Sequence, residues 1–441
     1  MGPLQAAELR VQPPEFESDY QLPGLTAPAP RAAVYDVLDV GVLVATLALA
    51  SYFSLRLRSR RAIFALMVFS LLYFGLWRGG CICPIGAIQN VCLGLSGAGY
   101  AVPLVVLAVF VLPLMFALFF GRAFCGGVCP LGAIQDLVAL RPLKVPAWLG
   151  GALGLLAYVY LGLAVLFSVI SGAYFICRYD PFVSIFRLAP VGKWAQAISQ
   201  QQVPGGAFGI AGKAELLVLG GAMLVIGVFV ARPYCRFLCP LGALLRVCSA
   251  LGRKRVIVTP EECVKCRLCE DSCPFGAIRK PTGEPAAADY GLDKRRLGWL
   301  LALLPVLIGA SALLGWLAGP HLARMDYTVR LAERIRMEDA GQVEGQIPMS
   351  EAFRGTGRPK ADLRADALRL SGSYALGGTI LGGFVGLVVG AKLIALSVRR
   401  RRTDYEADPA TCLSCGRCFQ YWPIEKRRRK AAKEAAAAVG V

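Results

Sequence analysis

Long stretches of apolar residues with almost no charge are the feature that most limits how this chain can fold. A helix needs about 20 residues to cross the hydrocarbon core of a bilayer. The composition agrees, since 56% of the residues are apolar and 17% are charged, against roughly 25% charged in an ordinary soluble domain. We therefore predict an all-α integral membrane protein with about seven transmembrane helices. The stretches are 37–55, 62–77, 100–121, 147–172, 216–231, 297–318 and 373–397.

Clusters of lysine and arginine flank these stretches on one side of the predicted membrane. They lie at 56–61, 253–255, 399–402 and 426–430. The positive-inside rule places that side in the cytoplasm. The prediction is a multi-pass protein of a bacterial inner (cytoplasmic) membrane, with its N-terminus outside and its C-terminus in the cytoplasm. Residues 1–35 are predicted to be an outer disordered tail without a cleavable signal peptide, and 426–441 a basic tail.

Charge and histidine content exclude several kinds of function. The net charge is +19, but no soluble segment is large enough to present a basic face, so we expect membrane lipid as a partner and no nucleic acid. His321 is the single histidine, and no Cys-x-x-Cys-His string occurs, so we expect no haem. Sixteen cysteines remain, which indicates either disulfides or a metal framework.

Three segments repeat one pattern, in which Arg-x-x-Cys precedes Cys-Pro-(Ile/Leu)-Gly-Ala-(Ile/Leu). The copies begin at Arg78, Arg122 and Arg232. The second and third copies separate their cysteines by three residues, whereas the first separates them by one. Each copy ends a predicted helix, so its cysteines are expected at or just inside the membrane boundary.

The number of helices between the copies sorts the cysteines by side. One predicted helix separates copies one and two, and two helices separate copies two and three. The first copy therefore faces outward and the other two face inward. The string FICRYDPF brings Cys177 to the outer side, and Cys92 follows the first copy. The outer group is Cys81, Cys83, Cys92 and Cys177, and the inner group is Cys125, Cys129, Cys235 and Cys239.

Four thiolates form the ligand set of a [4Fe-4S] cluster, often with a proline after one of them. We therefore predict one cluster in each group, with Arg78, Arg122 and Arg232 as cofactor-binding residues that offset its negative charge. Two alternatives stay open. The cysteines could be buried packing residues with the arginines at the headgroup level. The outer group could instead form a disulfide, because that compartment is oxidising.

A bacterial ferredoxin run is the most specific signal in the chain. The first run has the spacing Cys-x2-Cys-x2-Cys-x3-Cys-Pro, and a second run far downstream repeats its first three cysteines. In such runs three cysteines hold one cluster and the fourth reaches the other cluster of the pair. The sequence therefore predicts a split bacterial 2[4Fe-4S] ferredoxin-like cytoplasmic domain. The cysteines are Cys263, Cys266, Cys269 and Cys273, and then Cys412, Cys415 and Cys418. The predicted segments are a membrane domain 36–255, ferredoxin halves 256–296 and 399–425, and a transmembrane hairpin 297–398 with an outer segment 319–372.

The second run has Trp422 where a fourth cysteine would stand. By cross-ligation, Cys273 completes the cluster of the second run, and the first run lacks one ligand. Either that site holds a [3Fe-4S] cluster, or Cys248, the one cysteine left unassigned, completes it. Sixteen cysteines would then hold four clusters. Because Cys92 and Cys248 occupy equivalent places after two of the repeats, both could instead be helix-packing residues.

The repeats and the ferredoxin run together resemble membrane polyferredoxins of the NapH and NosR type, accessory proteins of periplasmic nitrate and nitrous oxide reduction, over residues 60–425. The resemblance implies electron transfer between the quinone pool or a cytoplasmic donor and a periplasmic partner. It implies ligand roles for the inner group and both ferredoxin runs. The chain lacks the large flavin-binding domain of NosR-type proteins, and its outward copy with Cys177 has no counterpart carried over from NapH.

The expected function is transmembrane electron transfer through a chain of iron–sulfur clusters, because about 30 Å of hydrocarbon is too wide for one efficient tunnelling step. Expected partners are a periplasmic redox protein, such as a cytochrome or cupredoxin-type reductase, and a cytoplasmic iron–sulfur protein, flavoprotein or quinone. Catalysis would be quinol oxidation, with His321 and Asp180 as candidate proton acceptors. Two other functions stay open: a metal-handling or maturation membrane reductase, and a membrane anchor or docking subunit of a redox complex.

Overall fold

The computed structural model describes most of the chain in two compact units. The smaller unit includes Gly309–Gly383, and the larger combines Ala32–Ile308 with Phe384–Val441. The described residues are 33–80, 82–97, 100–140, 142–172, 174–188, 210–252, 256–258, 263, 265–282, 287–343, 345–398, 402–421, 427 and 431. The predictions for the tail up to residue 32, Cys81, the basic groups 253–255 and 399–401, Trp422 and most of 426–441 lie outside the described residues.

The larger unit begins as a helical bundle. Its helices are α1 Ala33–Leu55, α2 Arg60–Ser70, α3 Pro84–Leu95, α4 Leu104–Phe120, α5 Pro130–Val138, α6 Ala147–Leu153, α7 Leu156–Ser171, α8 Phe175–Arg178, α9 Pro181–Leu188, α10 Ile210–Phe229 and α11 Pro240–Ala250. One hydrophobic core joins α1, α2, α4, α5, α7 and α11. The cysteines of the second and third repeats lie inside this core, away from its surface.

Five helices among the described residues are long and apolar enough to cross a membrane, so the structure supports a multi-pass membrane protein. They are Val34–Leu55, Arg60–Trp77, Ala147–Ser171, Asp293–Ala323 and Lys360–Ser397. The sequence-based count was seven. The stretch 100–121 forms the 17-residue α4, which contains Pro113, and the stretch 216–231 lies largely in α10. Both are apolar, but the helical parts Leu104–Phe120 and Val218–Phe229 are shorter than the five spans, so seven spans stay a prediction.

The two ferredoxin halves form one domain despite the long insertion between them. The first half contains α12 Leu268–Asp271 and β1 Ile278–Arg279, and the second contains β2 Glu406–Ala407 and α17 Arg417–Tyr421. The two strands pair antiparallel, with Ile278 opposite Ala407. The structure thus has the split ferredoxin-type arrangement that the cysteine spacing predicted.

The insertion consists of α13 Ala287–Ala323, α14 Tyr327–Asp339, α15 Pro348–Gly355 and α16 Lys360–Ser397. Within the smaller unit, α13 and α16 approach so closely that a methyl group on Gly315 would meet the Gly378 backbone and one on Gly382 the Ser311 backbone. Glycines spaced four apart allow this contact between membrane helices. A small core packs α14 against α15.

Candidate iron–sulfur sites

Each repeat becomes a helix at its second cysteine. Cys83, Cys129 and Cys239 are the N-cap residues of α3, α5 and α11, and a proline follows at the first helical position. Proline is favoured there because the N–H it lacks would have no helical partner. The N–H groups of Gly86 and Gly242 donate to the Sγ atoms of Cys83 and Cys239, at 3.4 and 3.2 Å. The motif therefore places a thiol at a helix N-terminus, where a thiolate is electrostatically favoured.

A widened helical turn precedes each of these helices. Leu71–Trp77, Phe124–Val128 and Tyr234–Leu238 adopt π-helix, and the last two contain Cys125 and Cys235. Such turns occur frequently at functional sites. Sequence reasoning did not predict them, because hydrophobic periodicity does not distinguish a short π-turn from an ordinary helix end.

The inner cysteine group comes together between the second and third repeats. The thiols of Cys129 and Cys235 are hydrogen-bonded to each other, and Cys239 interacts electrostatically with Cys125 and Cys129. All four are buried. The structure thus gathers the four thiols that the repeat spacing assigned to one group.

Two buried arginines cross between these repeats. Arg122 of the second repeat donates to Cys125 Sγ at 3.6 Å, and a side chain at Gly242 of the third repeat would lie 3.4 Å from its Nη2. Arg232 of the third repeat donates to the Cys125 carbonyl of the second. Each arginine therefore brings a positive charge to the shared thiol site. Arg78 of the first repeat differs, because it pairs with Asp39 on α1.

The second ferredoxin run and Cys273 form another thiol site. Cys273 lies within electrostatic range of Cys412 and Cys415, and Cys418 interacts with all three. These four thiols line one cavity together with Phe275, Leu413 and Gly416. These four thiols are the set that the ferredoxin spacing assigns to one cross-ligated cluster, and the structure brings them together.

The cysteines of the first run also lie together, since Cys269 interacts electrostatically with Cys263 and Cys266. The two runs share an uncommon backbone. Lys265 and Ser414, one residue before the second cysteine of each run, have φ of 50° and 53°. The residues just after that cysteine, Arg267 and Gly416, have φ of 62° and 74°. Left-handed residues turn successive backbone N–H groups to one side, which suits an anionic ligand.

The outer cysteines are described in part. Cys83 is hydrogen-bonded to Cys177. Asp180, which is fully buried, lies within electrostatic range of Cys83. Its Oδ2 accepts hydrogen bonds from Tyr160 at 3.1 Å and Tyr234 at 2.6 Å, and its Oδ1 accepts one from the Phe182 N–H at 2.8 Å. His321, the other candidate proton acceptor, lies exposed near the end of α13.

Cys92 and Cys248 lie apart from the described thiols. Both are partly buried against the helical core, on α3 and α11. Burial raises the pKa of both thiols, and no described thiol adds to either shift. No described thiol lies within electrostatic range of Cys248, so the structure leaves the fourth ligand of the first-run site unassigned.

A buried ion-pair cluster links the ferredoxin domain to the membrane helices. Asp136 on α5 pairs with Arg60, with Arg417 at 3.1 Å and with Arg232 at 3.4 Å. Arg60 also donates to the Cys415 carbonyl at 3.0 Å. Sequence analysis missed Asp136, because a single acid on a short helix gives no pattern from which its three partners could be identified.

Burial raises the pKa of three ferredoxin thiols. It raises the pKa of Cys412 to about 12 and that of Cys269 to about 11, and that of Cys418 also rises well above its usual range. These three thiols are therefore neutral at pH 7 without a metal, and their binding as thiolates would release protons.

The donor set, four thiols at each of two sites, fits iron–sulfur clusters. Among the described residues, no three Cys, His, Asp or Glu side chains converge tightly enough to hold one metal ion. A single ion draws thiolates to about 2.3 Å. A cluster binds each thiolate through a different iron, so four thiols spread around a cavity match it.

Comparison with known families identifies the same segments. One model described as a 4Fe-4S binding domain matches residues 102–155 and 214–258, which contain the second and third repeats. Another with the same description matches residues 256–279, the first ferredoxin run.

Similarity to curated proteins is local. The chain is 33% identical over 66 residues to an uncharacterised protein, MJ0749, of Methanocaldococcus jannaschii, which is 15% of this chain and 27% of that protein. It is 36% identical over 52 residues to the putative electron transport protein YccM of Escherichia coli, covering 12% of this chain and 15% of YccM. It is 45% identical over 58 residues to protein NirI of Paracoccus denitrificans, covering 13% of this chain and 8% of NirI. Each match therefore covers only a small part of the relative, between 8% and 27% of its length.

No solved structure matches the chain. The two family matches identify 4Fe-4S binding segments in the chain, and the five candidate spans support a multi-pass membrane architecture.

Proposed function

We propose that the chain carries electrons across the membrane through a row of iron–sulfur clusters. They would link a cytoplasmic iron–sulfur protein, flavoprotein or quinone to a periplasmic redox protein. The observation that carries the proposal is the arrangement of the described thiols. They form successive groups, from the ferredoxin domain through the inner group to Cys83 and Cys177, and protein contacts connect each group to the next.

The first connection joins the ferredoxin domain to the inner group. Gly126, directly after Cys125, packs against the backbone of Leu413 and Ser414 in the second ferredoxin run. A methyl group at Gly126 would collide with both carbonyl oxygens. On the third repeat, Arg236, directly after Cys235, donates to the Pro274 carbonyl at 3.5 Å. In both repeats, therefore, the residue directly after a cysteine contacts the ferredoxin site.

The second connection joins the inner group to the outer one. Tyr234 precedes Cys235 in the third repeat, and its hydroxyl donates to Asp180. Asp180 lies within electrostatic range of both Cys83 and Cys239. One buried carboxylate is thus shared by the two thiol groups. This shared contact supports electron transfer between clusters bound at the two sites.

Bound clusters would supply one-electron redox chemistry, and the chain would hold and shield them. The inner thiols are at most 8% exposed, so they are shielded from water. Arg122 and Arg232 would balance the negative charge of a cluster there. The similarity to YccM, which is named as a putative electron transport protein, supports the same function.

Proteoliposomes containing the full chain test this proposal. Ferricyanide is trapped inside, dithionite is added outside, and the reduction of ferricyanide is followed. We expect transfer well above that of protein-free liposomes, and we expect Cys129→Ser to abolish it. Cys248→Ser is the matched control, because no described thiol lies near Cys248. A Cys129→Ser protein that folds, lacks the inner cluster and still transfers electrons at the original rate would refute the proposal.

The alternatives predict other results. A metal-handling reductase would bind copper stoichiometrically at Cys81 and Cys83 without sustained transfer. A membrane anchor would keep its ferredoxin clusters and show no transfer at all.

A further inference from the structure

A cationic cavity lies where the ferredoxin domain meets the membrane helices. Its volume is about 590 Å³, within the range of small-molecule sites. The start of α7, the end of α11, the last turns of α16 and the ferredoxin segments 275–279 and 408–413 line it. All of these belong to the larger unit.

Five basic side chains and one acidic side chain line this cavity. Asp408 pairs with Arg279 at 2.7 Å. Among the described residues, no carboxylate pairs with the other four, which are Arg122, Arg236, Arg246 and Lys392. Like charges that converge in a poorly solvated place are unfavourable unless an anion joins them.

Unpaired polar atoms mark the same cavity. The Nε atoms of Arg122 and Arg246 and the hydroxyl of Thr411 are buried without a hydrogen-bond partner. The remaining bonds of Arg246 go to the backbone carbonyls of Gly154, at 3.0 Å, and Arg236. Buried polar groups normally have partners, so three unpaired ones in one cavity indicate a missing ligand that accepts hydrogen bonds.

Clusters bound at the iron–sulfur sites would neutralise part of the positive charge in this cavity. Arg122 contacts Cys125 Sγ, and Arg236 lies within electrostatic range of Cys273. No thiol is among the groups that influence Lys392, whose charged neighbours are Arg246, Arg279 and Asp408. Arg246 also lies within electrostatic range of Cys239 and Cys125, so clusters would leave the Lys392 end of the cavity positive.

The walls of the cavity are apolar and continue onto candidate membrane spans. Leu155 lies in the span Ala147–Ser171, and Val388 and Ala391 lie in the span Lys360–Ser397. Lys392 lies in the last turns of the span Lys360–Ser397. A positive end beside apolar walls, at the end of two spans, is the environment of a lipid headgroup.

We propose that this cavity binds a phosphate group through Arg246, Lys392 and Arg236. A phosphate offers several acceptor oxygens to guanidinium groups and to the Thr411 hydroxyl. Its source is either the headgroup of an anionic phospholipid, whose chains would lie along α7 and α16, or free inorganic phosphate. Arg236 and Arg246 lie near thiols, but the proposed contacts with phosphate require no bound cluster, so the inference does not depend on the proposed electron transfer.

Binding to the full-length, delipidated protein in detergent tests the proposal. The probes are short-chain phosphatidylglycerol, short-chain phosphatidylcholine and inorganic phosphate at matched ionic strength, and the readouts are the thermal unfolding midpoint and lipid phosphorus retained per chain. We expect saturable binding of phosphatidylglycerol that Lys392→Gln weakens about tenfold, the effect of one lost charge-assisted hydrogen bond. Lys392 is only partly buried, so this variant is expected to fold.

Lys280→Gln is the matched control. It removes the same charge from the ferredoxin domain, where Lys280 pairs with Glu270 outside the cavity. Competition by inorganic phosphate would assign the site to free phosphate, and its absence would assign it to the lipid. Equal binding of the two lipids, or equal affinity in the wild-type and Lys392→Gln proteins, would overturn the proposal.

Discussion

Replacing Asp136 by asparagine tests how the ferredoxin domain is held on the membrane helices. The carboxylate is buried and pairs with three arginines, two of them at 3.1 and 3.4 Å. At an effective dielectric constant of about 20, unit charges at such distances attract by about 5 kcal/mol. The three pairs do not add, because the arginines repel one another and all four groups have lost hydration. Removing one partner from a buried pair destabilises a protein by about 3–5 kcal/mol, and we expect Asp136→Asn to lower the free energy of unfolding by that amount.

Denaturant unfolding of the purified full chain, followed by tryptophan fluorescence and by cluster absorbance, measures this loss. We expect the ferredoxin clusters to be lost before the helices unfold, because Arg417 stands between Cys415 and Cys418 and would lose its partner. Asp271→Asn is the control, since it removes the same charge from an exposed pair with Lys144. Equal denaturant midpoints for the Asp136→Asn and Asp271→Asn proteins would refute the reasoning.

The effect of Asp136→Asn also depends on pH. Burial by itself would raise the pKa of Asp136, but the charges of Arg232, Arg60 and Arg417 outweigh it and hold that pKa well below its usual range. A carboxylate with a lowered folded pKa contributes stability above its unfolded pKa of about 3.9, and the contribution is lost as the pH falls through the folded pKa. The difference between the two proteins should therefore be constant at neutral pH and shrink only in strong acid.

Three further substitutions probe other contacts. Gly126→Ala should push the second ferredoxin run away from the inner site and lower the free energy of unfolding by about 1–3 kcal/mol. Gly221→Ala is the control, because nothing lies within 4 Å of the added methyl group, and thermal unfolding compares the two variants. Asp180→Asn removes a negative charge beside two thiol sites, so potentiometric titration should find a higher reduction potential for the neighbouring clusters, and an unchanged potential would contradict the placement. Gly378→Leu should separate α13 from α16 and increase proteolysis of the segment between them, whereas Gly309→Leu should not.

The grouping of the thiols follows from the sequence, because ligand spacing is local. Cys-x3-Cys-Pro brings its own helix start, and the ferredoxin run implies its cross-ligated partner. The positive charges at Arg122 and Arg232 could be anticipated from their place in the repeat. What the sequence does not contain is the contact between the repeats, in which Arg232 donates to the Cys125 carbonyl and Arg122 approaches Gly242.

Other features depend on contacts between distant segments. The Asp136 cluster joins α2, α5 and the second ferredoxin run, and the cationic cavity lies among α7, α11, α16 and the ferredoxin domain. For a related reason, composition alone does not determine the number of membrane spans. Apolar stretches such as 100–121 identify buried helices, but they do not distinguish a full crossing from a short helix inside a bundle.

Iron and acid-labile sulfide per chain, measured on anaerobically purified protein, test the central claim most directly. The measurement is made on the original chain and on a Cys81→Ser/Cys83→Ser variant. Four clusters predict about 16 irons, falling to about 12 in the variant, which would establish an outer cluster and a route through the membrane. A value near 8 that does not change in the variant would restrict the clusters to the ferredoxin domain and contradict the account.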